Sequence, residues 1–290
     1  MHVSAENTYF RVGSNVLLSA GYVQRAAARR DRRSRRAADD SYICILCNVA
    51  IPKAIFLFRV PDLIMARTGY QEKLDALQED ILYMSEVVLD RLRTGLSALE
   101  EKDEELAWEV IEGDEEVNEL YLDLEADCID LLSLQQPVAG DLRFIVASFK
   151  IITDLERIGD LATNLGDYTL DAERDRYPDV DIQAIGDAVI GMVEDAMTAY
   201  ATHDADACFD IDERDEAIDE MCEQASTTVV RDLIEREFDD GTTETEIERL
   251  MADVSRFLLT VRDLERVGDH AVNIAGRTLY MVESDDELIY

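Results

Sequence analysis

Asp154-Leu-Glu-Arg-Ile-Gly-Asp-Leu-Ala-Thr-Asn-Leu165 and, 109 residues later, Asp263-Leu-Glu-Arg-Val-Gly-Asp-His-Ala-Val-Asn-Ile274 are two copies of one stretch. Eight of the twelve positions are identical, and two more exchange one aliphatic residue for another. Both copies lie in long proline-free runs whose apolar residues recur every three or four positions, which predicts helices. Residues four apart on a helix share a face, with Cβ atoms about 5–6 Å apart. Glu156 therefore sits beside Asp160, and Glu265 beside Asp269. Leu155, Ile158 and Ala162 form the core-facing seam, and the acids fall about a third of a turn away from it. They belong to a flank of the helix, not to the centre of a bundle.

The repetition extends outward from these copies. Leu74, Leu77, Ile81, Met84 and Val88 make a 3-4-3-4 seam, and Ile182, Ile185, Val189, Met192 and Ala196 repeat it in phase 108 residues on. A charged turn at Glu100–Asp103 precedes a second helix from about Glu104 to Gln135. Pro137 ends that helix and suits the first turn of the next, which carries the first copy and stops near Asp171. Arg174–Asp181, with Pro178, is the boundary. A helix from about Asp204 to Phe238 follows, with Gly241 as a stop, and Thr243 to Glu246 reads as a capping box opening the last helix, which ends near Val282. Sustained period-two runs are missing. The predicted fold is all-α: six helices in two tandem three-helix bundles, residues 65–175 and 181–290.

The chain of 290 residues carries 65 acidic and 28 basic side chains, a net charge of −37. Residues 1–64 hold ten basic and five acidic residues, or +5, which leaves −42 for the remainder and only three lysines there, Lys73, Lys102 and Lys150. Such a body repels nucleic acid and anionic membrane, and at low salt it repels itself. A halophilic, high-salt setting follows as a hypothesis. Its expected outcome is a melting temperature that climbs with KCl concentration; equal stability at low and multimolar salt would reject it. Scattered cysteines, with Cys128, Cys208 and Cys222 inside helical runs, fit a reducing compartment.

Residues 1–64 read as a basic extension outside the fold. Arg29–Arg36 form a basic cluster ahead of an apolar run from Tyr42 to Val60 that Pro52 and Lys53 interrupt. Two readings compete: upstream sequence ahead of a true start at Met65, and a membrane anchor or targeting segment. Cys44-x-x-Cys47 has no second pair and no nearby His set, which argues against a metal or redox role.

A second acidic pair lies on the middle helix of each unit. Asp114-Glu-Glu-Val-Asn118 matches Asp215-Glu-Ala-Ile-Asp219. If the helices are adjacent, four side chains per unit converge on one patch. Oxygen donors without thiolates or a His cluster suit Fe, Mn, Mg or Ca. Acid pairs at this spacing arise by chance in so acidic a chain, and each costs roughly 0.2–0.5 kcal/mol unless neutralised. Duplication of both pairs favours a metal over a merely solvated face. His270 stands where the first copy has Leu161, so it is a weak ligand candidate; Arg157 and Arg266 are expected to hold neighbouring acids, and Gly159 and Gly268 to mark close packing or access. Asn164 and Asn273 are either outer partners of the metal or simple bundle polars. A phosphate loop, a nucleophile elbow and the Glu-x-x-His pattern of di-iron bundles are all missing, which counts against an enzyme.

Gln136-Pro-Val-Ala-Gly-Asp-Leu-Arg143 together with the two copies resembles the PhoU family of phosphate-transport accessory regulators, over roughly 70–282. The resemblance implies a pseudo-twofold relation between the bundles and a cytoplasmic protein, often a homodimer. It implies negative modulation of phosphate uptake or the phosphate-starvation response through the phosphate ABC transporter ATPase, and contact with a signalling kinase or transcription regulator. It also implies iron or zinc clusters on E(D)-x-x-x-D motifs, here Glu156 with Asp160, Glu265 with Asp269, Asp215 with Asp219, and Asp114 with Asn118. Asn118 departs from that pattern, which predicts a weaker first cluster. The competing readings are an acidic interaction module without metal and a metal-dependent phosphohydrolase.

Overall fold

A computed structural model describes residues 9–12, 16–19, 60–134, 137–171, 180–235 and 243–289. The chain divides into two compact units, Met1–Leu57 and Phe58–Tyr290. The basic cluster, the Cys44–Cys47 pair, Gly241 and most of the predicted boundary lie outside the described residues.

In the first unit, β1 (Tyr9–Val12) and β2 (Val16–Ser19) pair antiparallel, with Tyr9 opposite Ser19 and Val12 opposite Val16. Neither Tyr-Phe-Arg-Val nor Val-Leu-Leu-Ser alternates apolar with polar residues, which is why periodicity gives no hint of them.

The second unit is helical. Its elements are α1 (Val60–Glu101), α2 (Glu104–Glu112), α3 (Asp114–Leu134), α4 (Ala139–Leu170), α5 (Ile182–Thr202), α6 (Ala205–Glu235) and α7 (Glu244–Glu283). The predicted seams are the core: Leu74, Leu77, Ile81, Met84 and Val88 on α1, and Ile185, Val189, Met192 and Ala196 on α5, are buried. Leu155, Ile158 and Ala162 on α4 and their counterparts Leu264, Val267 and Ala271 on α7 are fully enclosed. One continuous apolar cluster takes residues from both repeats.

Equivalent helices meet across the repeat. α1 packs on α5 and α4 on α7, as a pseudo-twofold axis requires. Both pairs run antiparallel. Gln78 of α1 donates to the Tyr200 and Ala201 carbonyls at the end of α5, while Gln183 at the start of α5 donates to Leu96 O near the end of α1.

Three local details refine the prediction. The middle helix of the first repeat is broken at Gly113, so six predicted helices become seven helical segments among the described residues. The Arg91 guanidinium lies against Gly113 and donates to Glu109 O at 3.3 Å and Glu116 Oε2 at 2.7 Å; any Cβ at 113 would collide with it. The helix after Pro137 starts at Ala139 with Val138 extended at its N-cap, so the proline precedes the helix and is not in its first turn. The predicted capping box opens α7: Glu246 N donates to Thr243 Oγ1, and Thr243 N donates to Glu246 Oε2 at 2.8 Å.

Candidate functional site

The second acidic patch is built by α6 and α7, which pack together. Asp215 and Asp219 come from the middle of α6, one turn apart, and Glu265 and Asp269 from the flank of α7. Burial and then the charges of Asp219, Asp269, Asp212 and Glu265 push the Asp215 carboxyl up to about 6. Burial and Asp219 likewise raise Glu265 and Asp269, with His270 and Arg266 opposing at Asp269. The four predicted side chains of this repeat therefore share one neighbourhood. Asp215 Oδ1 is enclosed and accepts no hydrogen bond. Gly268 makes room for it, since a Cβ at 268 would stand 3.1 Å from that oxygen. A lone buried carboxylate oxygen is costly, and a cation is one way to repay it.

The first patch has the same plan and a different balance. Glu156 and Asp160 on α4 are raised by burial and by Asp114 from α3, with Asp160 also raising Glu156, so its acids also gather. Here, however, the protein supplies its own neutralisation. Asn118 Nδ2 donates to Asp114 Oδ2 at 2.7 Å, and Thr163 Oγ1 donates to Asp114 Oδ1 at 3.4 Å. Arg157 lies 3.5 Å from both Glu156 and Asp160. The break at Gly113 makes Asp114 the first residue of α3, where the helix dipole favours a negative charge; Asp215, in mid-helix, gains nothing from that source. In this patch the predicted close packing at Gly159 is against Val117, whose Cγ1 would stand 3.0 Å from an added Cβ.

Among the described residues, no three His, Cys, Asp or Glu side chains form a ready coordination sphere. The acids are neighbours in charge, and a shared ion would need them to close further. Thiolates play no part: burial pushes Cys128 and Cys222 up to about 12 and Cys208 up to about 11.

Between the patches lies a polar layer that spacing does not assign. His270 Nδ1 is 2.9 Å from Asp154 Oδ1, tying α7 to α4. Its equivalent, Asp263, is buried and accepts from Tyr168 Oη at 2.8 Å and Asn164 Nδ2 at 3.1 Å, both on α4. Arg262 donates to the other oxygen at 3.1 Å, with Arg266 at 3.9 Å. Arg266 thus leans on Asp263, although it also draws Asp160 of the other repeat downward. Asn164 is a partner of Asp263 and not of the acidic patches. The identical Asp at the head of both copies was the available signal for this layer.

A twice-repeated helical protein with carboxylate pairs on two flanks is the class these features define. The PhoU domain family matches residues 81–169 and 182–278. A phosphate-specific transport system accessory protein PhoU homolog from Pseudomonas putida is 33% identical over 220 residues, covering 75% of this chain and 82% of that protein. The crystal structure of PhoU from Pseudomonas aeruginosa matches with a TM-score of 0.68 at 29% identity, covering 74% of this chain and all (100%) of that one. PhoU from Streptococcus pneumoniae, a phosphate transport system regulatory protein, gives 0.67 at 25% identity, over 74% and 98%. The chain belongs to the PhoU family. Its relatives are named as accessory and regulatory proteins of phosphate transport.

Proposed function

We propose that this protein is a negative modulator of phosphate uptake, acting in the cytoplasm through the ATPase of a phosphate ABC transporter. The observation that carries the reading is the match of both repeats to the PhoU domain, joined to relatives whose name is phosphate-specific transport accessory protein. No helix among the described residues is long and apolar enough to cross a membrane. Deleting the gene is expected to raise phosphate uptake in phosphate-replete cells, and wild-type protein to restore it. Unchanged uptake in the deletion strain would sink the reading. Homodimerisation and contact with a signalling kinase or transcription regulator belong to the same proposal.

The metal forms part of it. Iron or zinc, the ions of the family resemblance, would be held by Asp215, Asp219, Glu265 and Asp269, where the enclosed oxygen and crowded charge fit a cation. The ion would supply positive charge that lets the α6 and α7 flanks stand close. In the first patch the charges of Glu156, Asp160 and Asp114 are largely answered by the Asn118 amide, the Thr163 hydroxyl, the Arg157 guanidinium and the helix dipole, so loading is asymmetric. Asn118→Asp removes the donor to Asp114 and adds a charge. Elemental analysis of this variant is expected to find about twice the metal per chain of the wild type; an unchanged ratio argues against the asymmetry. No observation favours a phosphohydrolase.

A further inference from the structure

Repeat symmetry fails at one pair of arginines. Arg157 and Arg266 are equivalent, each directly after the glutamate and three residues before the aspartate of its own patch. Arg157 closes on its own acids, 3.5 Å from both Glu156 and Asp160. Arg266 forms no ion pair with Glu265 or Asp269 among the described residues and leans instead on Asp263, at a loose 3.9 Å. Asp263 is already answered, since its carboxylate accepts from Tyr168, Asn164 and Arg262. Arg266, with a side chain 47% exposed, is therefore a cation that no single acid holds.

Its place is between the patches. Asp263 meets Asn164 and Tyr168, and His270 meets Asp154, so two fixed points set how α7 runs against α4. Between them, that antiparallel register puts Arg266 level with Asp160 of the first patch. The Asp160 side chain, 42% exposed, stands at the surface as Arg266 does. The electrostatics agree. The acids that raise Glu156 and Asp160 belong to the first repeat alone, and those that raise Glu265 and Asp269 to the second alone. Arg266, by contrast, draws one acid of each patch downward, Asp160 and Asp269. His270 also acts on both sides, on Glu156 and Asp269, but its Nδ1 is held 2.9 Å from Asp154.

On the metal reading above, we infer that Arg266 is a counter-ion shared by the two patches, so that a cation held in one weakens the hold of the other. While both patches are empty, Asp160 and Asp269 divide the charge of Arg266. With a cation in the first patch, Asp160 no longer draws the guanidinium, which turns towards Asp269 and answers part of the charge offered there to a metal. Coupling between binding sites is reciprocal, so loading the second patch lowers the affinity of the first by the same factor. A guanidinium keeps its charge throughout the accessible pH range, and the coupling therefore needs no titration of Arg266.

Chelator-stripped protein is titrated with Fe²⁺ and with Zn²⁺ at fixed pH and salt, and the tighter step is read as the second patch. Glu156→Gln/Asp160→Asn ends the pull of the first patch on Arg266 without adding an ion. It is expected to weaken the tighter step about 5-fold, the low end of coupling between sites, as suits a half-exposed cation. In an Arg266→Gln or Arg266→Met background the same pair should change that step by less than about twofold, and in Arg266→Lys the dependence should return. Native helix content is checked for every form. A tighter step that ignores the loss of Glu156 and Asp160, or responds to it equally with and without Arg266, would overturn the sharing and leave the metal reading intact. Wild type that takes up neither ion would overturn both.

Discussion

Asp263→Ala is expected to remove about 3–5 kcal/mol of unfolding free energy, the cost of breaking a buried charged network by deleting one member. Its carboxylate is the common acceptor for Tyr168 and Asn164 on one oxygen and for Arg262 on the other. Removal strands a tyrosine hydroxyl and an amide at the α4–α7 contact. Burial and the bond to Asp263 hold the Tyr168 hydroxyl up to about 12, so it remains a donor throughout the accessible pH range. Asp263→Asn keeps the shape and one acceptor, and its loss is expected to be smaller. Tyr168→Phe deletes one bond to a charged acceptor and should cost roughly 1.5–3 kcal/mol. Denaturant midpoints at fixed salt and constant slope measure all three. An Asp263→Ala protein within about 1 kcal/mol of wild type would show that the network does not hold the repeats together.

Asp215→Asn is expected to separate two effects that the wild type combines. In cation-free protein the Asp215 carboxyl is pushed up to about 6 from a reference of 3.8. An acid raised on folding favours its neutral form in the native state. The benefit is therefore present below about pH 4 and is lost as pH rises through 6, above which the native state bears the full repulsion. Replacing the carboxyl with an amide removes that slope and should stabilise the cation-free protein at pH 7 by roughly 1 kcal/mol, after allowance for solvent screening of a partly exposed group. With metal the sign reverses. Losing an outer partner alone costs about 10–100-fold in metal affinity, so losing this oxygen should cost at least that. Stability between pH 4 and 7 with chelator, and titration with Fe²⁺ or Zn²⁺, are the measurements. A variant with unaltered slope and unaltered affinity would remove Asp215 from the site.

Much of the fold was legible because helices write themselves locally. Leu155, Ile158 and Ala162 declare a buried stripe through spacing alone, and Thr243 with Glu246 declares a helix start through chemistry that acts over one turn. The break at Gly113 was less visible. A glycine in a helical run is ordinarily tolerated, and the guanidinium that lies against the break belongs to Arg91, more than twenty residues away in sequence. The acids of each repeat were also readable as pairs, since i and i+4 are neighbours on any helix. Their unequal surroundings were not, except for Asn118. Thr163 reached Asp114 only when α3 and α4 packed, and the helix start under Asp114 came with the break at Gly113.

By itself, the sequence determined an all-helical body written twice, because periodicity and repetition are properties of order along the backbone. Tertiary structure decided that equivalent helices lie antiparallel against each other, that Asp263 and not the metal candidates anchors Asn164, and that Asp215 alone among these acids keeps an enclosed, unanswered oxygen. Those outcomes depend on which side chains from distant segments arrive at the same place. A residue's partners, and hence the cost of its charge, exist only once the chain has folded.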